Sequence, residues 1–204
     1  MERFRWGGLD AEDSGDVYLD ETVKRMLAST RNAMLSVASS LIAEGQSQKA
    51  LDVLMTMDTK LPMCVMPYGV QVGDAVAYYM ISLGEQLAND QAIERGEEIL
   101  RQEIMTAVHY IPYIRSLTPA RRATLQASDR AMVEYGDYSY LFDLIVRYVY
   151  SVGADSATDY LNEVRDKTGV DLIRMFNLDR MDDSSDDPEV AETAVETSTD
   201  STIS

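Results

Sequence analysis

Apolar residues recur at helical spacing through most of this chain. After Asp20, a plausible N-cap, Val23, Met26, Leu27, Met34, Val37, Ala38, Leu41 and Ile42 trace one face of a helix that Gly45 closes. Ser47 is expected to cap a second helix, with Ala50, Leu51, Leu54, Met55 and Met57 on its apolar face and Pro62 as its stop. Two prolines and a glycine make LPMCVMPYG, residues 61–69, a loop. A third helix is predicted from about Val72 to Leu83, ending at Gly84. A fourth begins at Asn89 or Asp90 and carries Ile93, Ile99, Leu100, Ile104, Val108 and Ile111, with a kink expected at Pro112. Thr118-Pro119 is a restart signal, a capping hydroxyl followed by proline at the first helical position. The tyrosine-rich stretch from Pro119 to Ser151 reads as one helix, or as two broken near Gly136-Asp137, and ends at Gly153. A further helix from about Ser156 to Lys167 stops at Gly169, and Asp171 to Leu178 forms a short closing segment. No stretch reads as a strand, so the fold class is all-α.

Helical hairpins turning at glycine call for a test of repeats. A 34-residue helix–turn–helix register of the tetratricopeptide type, started at Arg31, places Ala38 and Ala50 at its small positions. It also places Leu41 and Leu54 at large ones, Gly45 at the turn and Pro62 near the end. The small residues let helices approach closely, and glycine turns the chain without a Cβ penalty. A second unit keeps Val76, Ala77, Met80 and Gly84, but needs about three extra residues before Ala92. A third keeps Leu144, Tyr148, Gly153, Ala157 and Leu161 with one residue missing. The expected architecture is a short right-handed tetratricopeptide-like helical-hairpin solenoid. Its parts are a junction or capping segment at 1–19, a helical-repeat domain at 20–181 and a tail at 182–204.

Charge sharpens the last boundary. The 204 residues carry a formal charge of −17. Eight carboxylates and no Lys or Arg lie from Asp182 onward, which leaves −9 for residues 1–181. The tail is acidic, rich in Ser and Thr and free of aromatics, a composition expected to stay disordered. The overall charge argues against nucleic acid and against electrostatic docking on anionic lipid. The single cysteine, Cys64, permits no internal disulfide and reads as a small apolar side chain. No run of about 18 apolar residues is present, nor a signal peptide, so the chain as it stands is expected to be soluble.

Catalytic constellations are not visible. His109 is the only histidine and makes neither a triad nor a metal site. The paired carboxylates, such as Glu97-Glu98, read as exposed helix faces, and a carboxylate-based hydrolase is the weakest of the readings. Gly7-Gly8 lacks the strand–turn–helix context of a phosphate loop. The expectation is a chain that is not an enzyme, with no cofactor and no metal. The tyrosines have two readings. The plainer is interhelical packing with wet hydroxyl tips. The other is a concave aromatic groove for a peptide or a glycan, with candidates Tyr78, Tyr79, Tyr110, Tyr113, Arg115, Tyr138, Tyr140 and Arg147.

The opening MERFRWGGLD holds the only tryptophan, Trp6, beside Phe4 and the pair Gly7-Gly8. With Tyr18, Leu19, Asp20 and Glu21, and then Arg31, Leu41, Glu44, Gly45, Lys49, Ala50, Val53, Leu54 and Pro62, it resembles a junction in the C-terminal part of a family of bacterial multi-pass membrane proteins. That family, of unknown function, is related to protein O-mannosyltransferases that carry tetratricopeptide repeats. The resemblance spans about residues 3–170. It implies that the membrane domain and any catalytic carboxylate lie upstream. It also implies that this chain is a non-catalytic interaction domain holding an acceptor or partner protein at the periplasmic face of the inner membrane. Phe4, Trp6, Gly7, Gly8, Tyr18 and Asp20 would form the strap to the last spanning helix, or a cap on the open end of the solenoid. The alternative is a free-standing cytoplasmic tetratricopeptide adaptor that binds a peptide in its groove.

Overall fold

The computed structural model describes residues 19–69, 72–128, 133 and 135–178. Phe4, Trp6, Gly7, Gly8 and Tyr18 of the expected junction, and the tail at 182–204, lie outside the described residues. Every regular element among the described residues is a helix. They are α1 (Glu21–Ala43), α2 (Ser47–Lys60), α3 (Val72–Leu87), α4 (Asp90–Ser116), α5 (Pro119–Ser128), α6 (Tyr138–Val152), α7 (Ala154–Thr168) and α8 (Leu172–Phe176). Two compact units divide the chain between Ala157 and Thr158.

Most helix starts follow from local chemistry. Asp20 accepts from Val23 N at 2.8 Å, Asn89 from Ala92 N at 3.1 Å, Asp137 from Ser139 N at 2.9 Å and Asp171 from Arg174 N at 2.9 Å. Gly45, at φ +72°, closes α1: its N–H donates to Ile42 O at 2.9 Å and the next N–H donates to Leu41 O at 2.8 Å. Three expectations need correction. Ser47 is the first residue of α2 rather than its cap, and its hydroxyl donates to Gln86 across to α3. The helix expected from Ser156 starts at Ala154, directly after Gly153 at φ +83°. Gly84 does not end α3, which runs one turn further to Leu87. The reversal is made by Ala88 at φ +52°, with Asn89 N donating to Gly84 O at 2.8 Å. Among the described residues the tyrosine-rich stretch holds the helices α5 and α6, with Asp137 opening the latter.

In the first unit, helices pack in chain order: α1 on α2, α2 on α3, α3 on α4, and α4 on α6. The centre is α4, which buries Ile99, Leu100, Ile104, Ala107, Val108 and Ile111. Ala38 and Ala50, the small positions of the register, are fully buried between α1 and α2, as are Leu54 and Met57. The three helices α3, α4 and α6 position the candidate site. Both α3 and α6 lie against α4, and they meet each other through Arg147 of α6, which reaches Asp74 and Tyr78 of α3. In the second unit, Leu161, Val164 and Leu172 are buried.

Candidate functional site

The gap between α3 and α6 is a cleft of about 360 Å³. One wall is a single stripe of α3, Tyr78, Ile81, Ser82 and Glu85, spaced at three, four and seven residues. The opposite wall is Arg147, Tyr150 and Ser151 of α6, at the same helical spacing, and Leu100 of α4 is the floor. The phase of each helix explains the walls. On α6, Leu141, Leu144, Ile145 and Tyr148 form the buried stripe, so Tyr150 falls out of phase and stands 85% exposed. On α3, Val76, Ala77, Met80 and Leu83 take the core, which turns Tyr78 outward at 53%.

The charges along this cleft are mostly matched. Arg147 Nε stands 2.7 Å from Asp74 Oδ1, and its guanidinium lies 5.6 Å from the Tyr78 ring centre. Burial raises the Asp74 pKa and Arg147 opposes the rise. Ser151 donates to Glu97 at 2.9 Å, and Arg101 pairs with Glu98 at 3.3 Å and donates to Tyr148. Two lining groups differ. The Glu85 carboxylate and the Tyr150 hydroxyl make no hydrogen bond or ion pair among the described residues.

The structure sorts the tyrosines and arginines expected to form a groove into separate settings. Tyr78 and Arg147 come together in the cleft, with half-buried Tyr79 5.7 Å from Tyr78 between ring centres. Tyr110 and Tyr140 instead join Tyr135, stacked at 5.6 Å and edge-on at 5.8 Å respectively. Arg115 lies over Tyr138 at 4.5 Å, and Tyr113 stands 49% exposed on α4. The cleft residues that the sequence reading did not select are Ile81, Ser82, Glu85, Leu100, Tyr150 and Ser151. Helical phase holds the signal for them, because an aromatic out of step with a buried stripe must face solvent.

Two buried polar clusters lie beneath these helices. Glu103 of α4 is fully buried, and its Oε2 accepts from Tyr135 at 2.7 Å and Tyr140 at 3.2 Å. Its Oε1 has no hydrogen-bond partner and rests against Gly73, where a Cβ would stand 2.8 Å away. Burial raises the Glu103 pKa, and the two tyrosine hydrogen bonds and the field of Arg31 oppose the rise. Burial likewise raises the pKa of Tyr135 and Tyr140. In the second cluster Tyr68 donates to Asp58 at 3.0 Å, and Arg95 grips the same carboxylate with two bonds at 2.6 and 3.0 Å. Glu103, Tyr135, Asp58 and Tyr68 are buried, and both clusters tie helices together through polar contacts.

His109 is exposed on α4 and its Nδ1–H donates to Met105 O at 2.8 Å, while Cys64 is exposed in the 61–69 loop. Among the described residues no group of three His, Cys, Asp or Glu is placed to hold a metal ion, and no helix is long and apolar enough to cross a membrane. Comparison with protein-family models, curated proteins and solved structures finds no match.

Proposed function

We propose that this chain is a non-catalytic protein-interaction domain whose cleft between α3 and α6 takes a peptide segment of a partner. The observation that carries this reading is the cleft itself, an open trough with an apolar floor and two exposed tyrosines. Rigid aromatic side chains give large contact area at little entropic cost. The helical-repeat reading adds support. In its register α3 and α6 are the first helices of the second and third hairpins, and repeat arrays bind on the surface their successive repeats present together. The packing of α1 on α2, α2 on α3, α3 on α4 and, past α5, α4 on α6 is the order such an array would have. The stretches at 4–10 and 17–26 carry the wider proposal that the domain belongs to a membrane protein related to O-mannosyltransferases and faces the periplasm. A free-standing cytoplasmic adaptor would use the cleft in the same way.

The test is selection of binders from a random dodecapeptide library on the full chain. Each binder is then measured against Ser82→Arg, which places a long side chain across the trough from an exposed position. Binding is expected to fall at least about tenfold. Peptides that bind both proteins equally would show that the cleft is not the site.

A further inference from the structure

The cleft has an unbalanced demand. Of its charged lining groups, Arg147 is engaged by Asp74, and nearby Arg101 is engaged by Glu98. Glu97 is held by Ser151. Glu85 alone is a lining charge without a partner among the described residues, and it is an anion. Opposite, the Tyr150 ring is 85% exposed and presents a π face of negative potential. The remaining lining at Ile81 and Leu100 is apolar.

We infer that the cleft selects a positively charged side chain, arginine or lysine, in the peptide it binds. This rests on the reading of the cleft as a peptide site. The aliphatic stem would lie over Ile81 and Leu100, as such stems do on apolar surface, while the head meets the Glu85 carboxylate and the Tyr150 ring. An anionic side chain finds no such vacancy, because Arg147 already has its carboxylate and a second would displace or repel it. The net charge of −17 acts in the same direction at long range and speeds the encounter with a basic partner.

The experiment uses the library-selected peptides that Ser82→Arg rejects. Each Arg is replaced by citrulline, and each Lys by norleucine. Affinity for the wild-type full chain should fall at least about fivefold. Glu85→Gln and Tyr150→Ala should each weaken the original peptide by about three- to tenfold, while the neutral peptide should be indifferent to Glu85→Gln. Both positions are exposed, so the variants keep their fold. Cleft-binding peptides without a basic residue, or with less than a twofold loss on neutralisation, would overturn the inference and leave the peptide cleft standing. Basic peptides that bind regardless of Ser82→Arg and Glu85→Gln would be held elsewhere on this acidic chain, and would overturn it too. If no peptide is rejected by Ser82→Arg, both readings fall.

Discussion

Arg31 is heavily engaged through its two terminal guanidinium nitrogens. It is 2% exposed, and its guanidinium donates to four carbonyl oxygens of the 61–69 loop: Leu61 at 2.6 Å, Pro62 at 3.3 Å, Met66 at 2.7 Å and Pro67 at 2.8 Å. It also lies over the Tyr68 ring at 4.5 Å. Burial lowers its pKa, but a guanidinium stays charged. Within the loop the Val65 N–H reaches Pro62 O at 3.2 Å, and a planar five-donor group from α1 serves that oxygen and the carbonyls of Leu61, Met66 and Pro67. Arg31→Met should therefore cost about 3 kcal/mol, since each carbonyl left dry costs about 1–3 kcal/mol less what water recovers. Arg31→Lys keeps the charge but not the fork, and should lose more than half as much. Urea melts of the three proteins measure this, and a loss below about 0.5 kcal/mol in Arg31→Met would reject the clasp. The sequence marked Arg31 as the first place of a repeat register and as one residue of the family resemblance, with no structural role. Its role depends on where backbone carbonyls fall thirty or more residues later, and no side-chain pattern records that. Tyr150 was legible by contrast, because its phase against Leu144, Ile145 and Tyr148 is written in the spacing.

At the scale of the element, the turn between α3 and α4 shows why glycine misleads. Gly84 looked like a helix stop, yet it sits inside α3 because α4 comes too close for a side chain. A Cβ there would stand 2.7 Å from Ile93 Cγ1 and 3.0 Å from Asn89 O. The true reversal falls on Ala88, in a left-handed conformation that suits glycine better. The extra turn from Gly84 to Leu87 accounts for the three or so residues that the sequence register had to skip before Ala92. Two opposite effects are expected. Gly84→Ala should destabilise by about 1–3 kcal/mol through overpacking. Ala88→Gly should stabilise by up to about 1 kcal/mol by relieving the backbone. Thermal melts that gave the reverse signs would contradict this account. The Asp20 cap was readable because the cap and the N–H it serves are three residues apart. A glycine's reason can lie in another helix.

Across the whole molecule, the hidden carboxyl of Glu103 links stability to pH. Its pKa is raised in the folded chain above its ordinary value of 4.5. The native state therefore keeps a proton that the unfolded chain has released, and stability falls as pH rises through the folded value. The groups facing it are Tyr135, Tyr140, Asp74 and, through its field, Arg31. Glu103→Gln mimics the protonated form and should gain on wild type as pH rises from 4 to 8, by at most about 1.4 kcal/mol per pH unit. Urea melts of the pair across that range test this, and a constant difference would refute it. The all-helical class and the order of the helices were legible from periodicity. The split of the tyrosines between a buried carboxyl and an open cleft was not, since both settings use the same residue type. Arg31 has one more consequence, for synthesis on the ribosome. Its carbonyl partners end at Pro67, so the α1–α2 hairpin and its loop can close before any of α3 has left the ribosome. The growing chain would then carry a finished first layer on which α3 and α4 can assemble as they emerge.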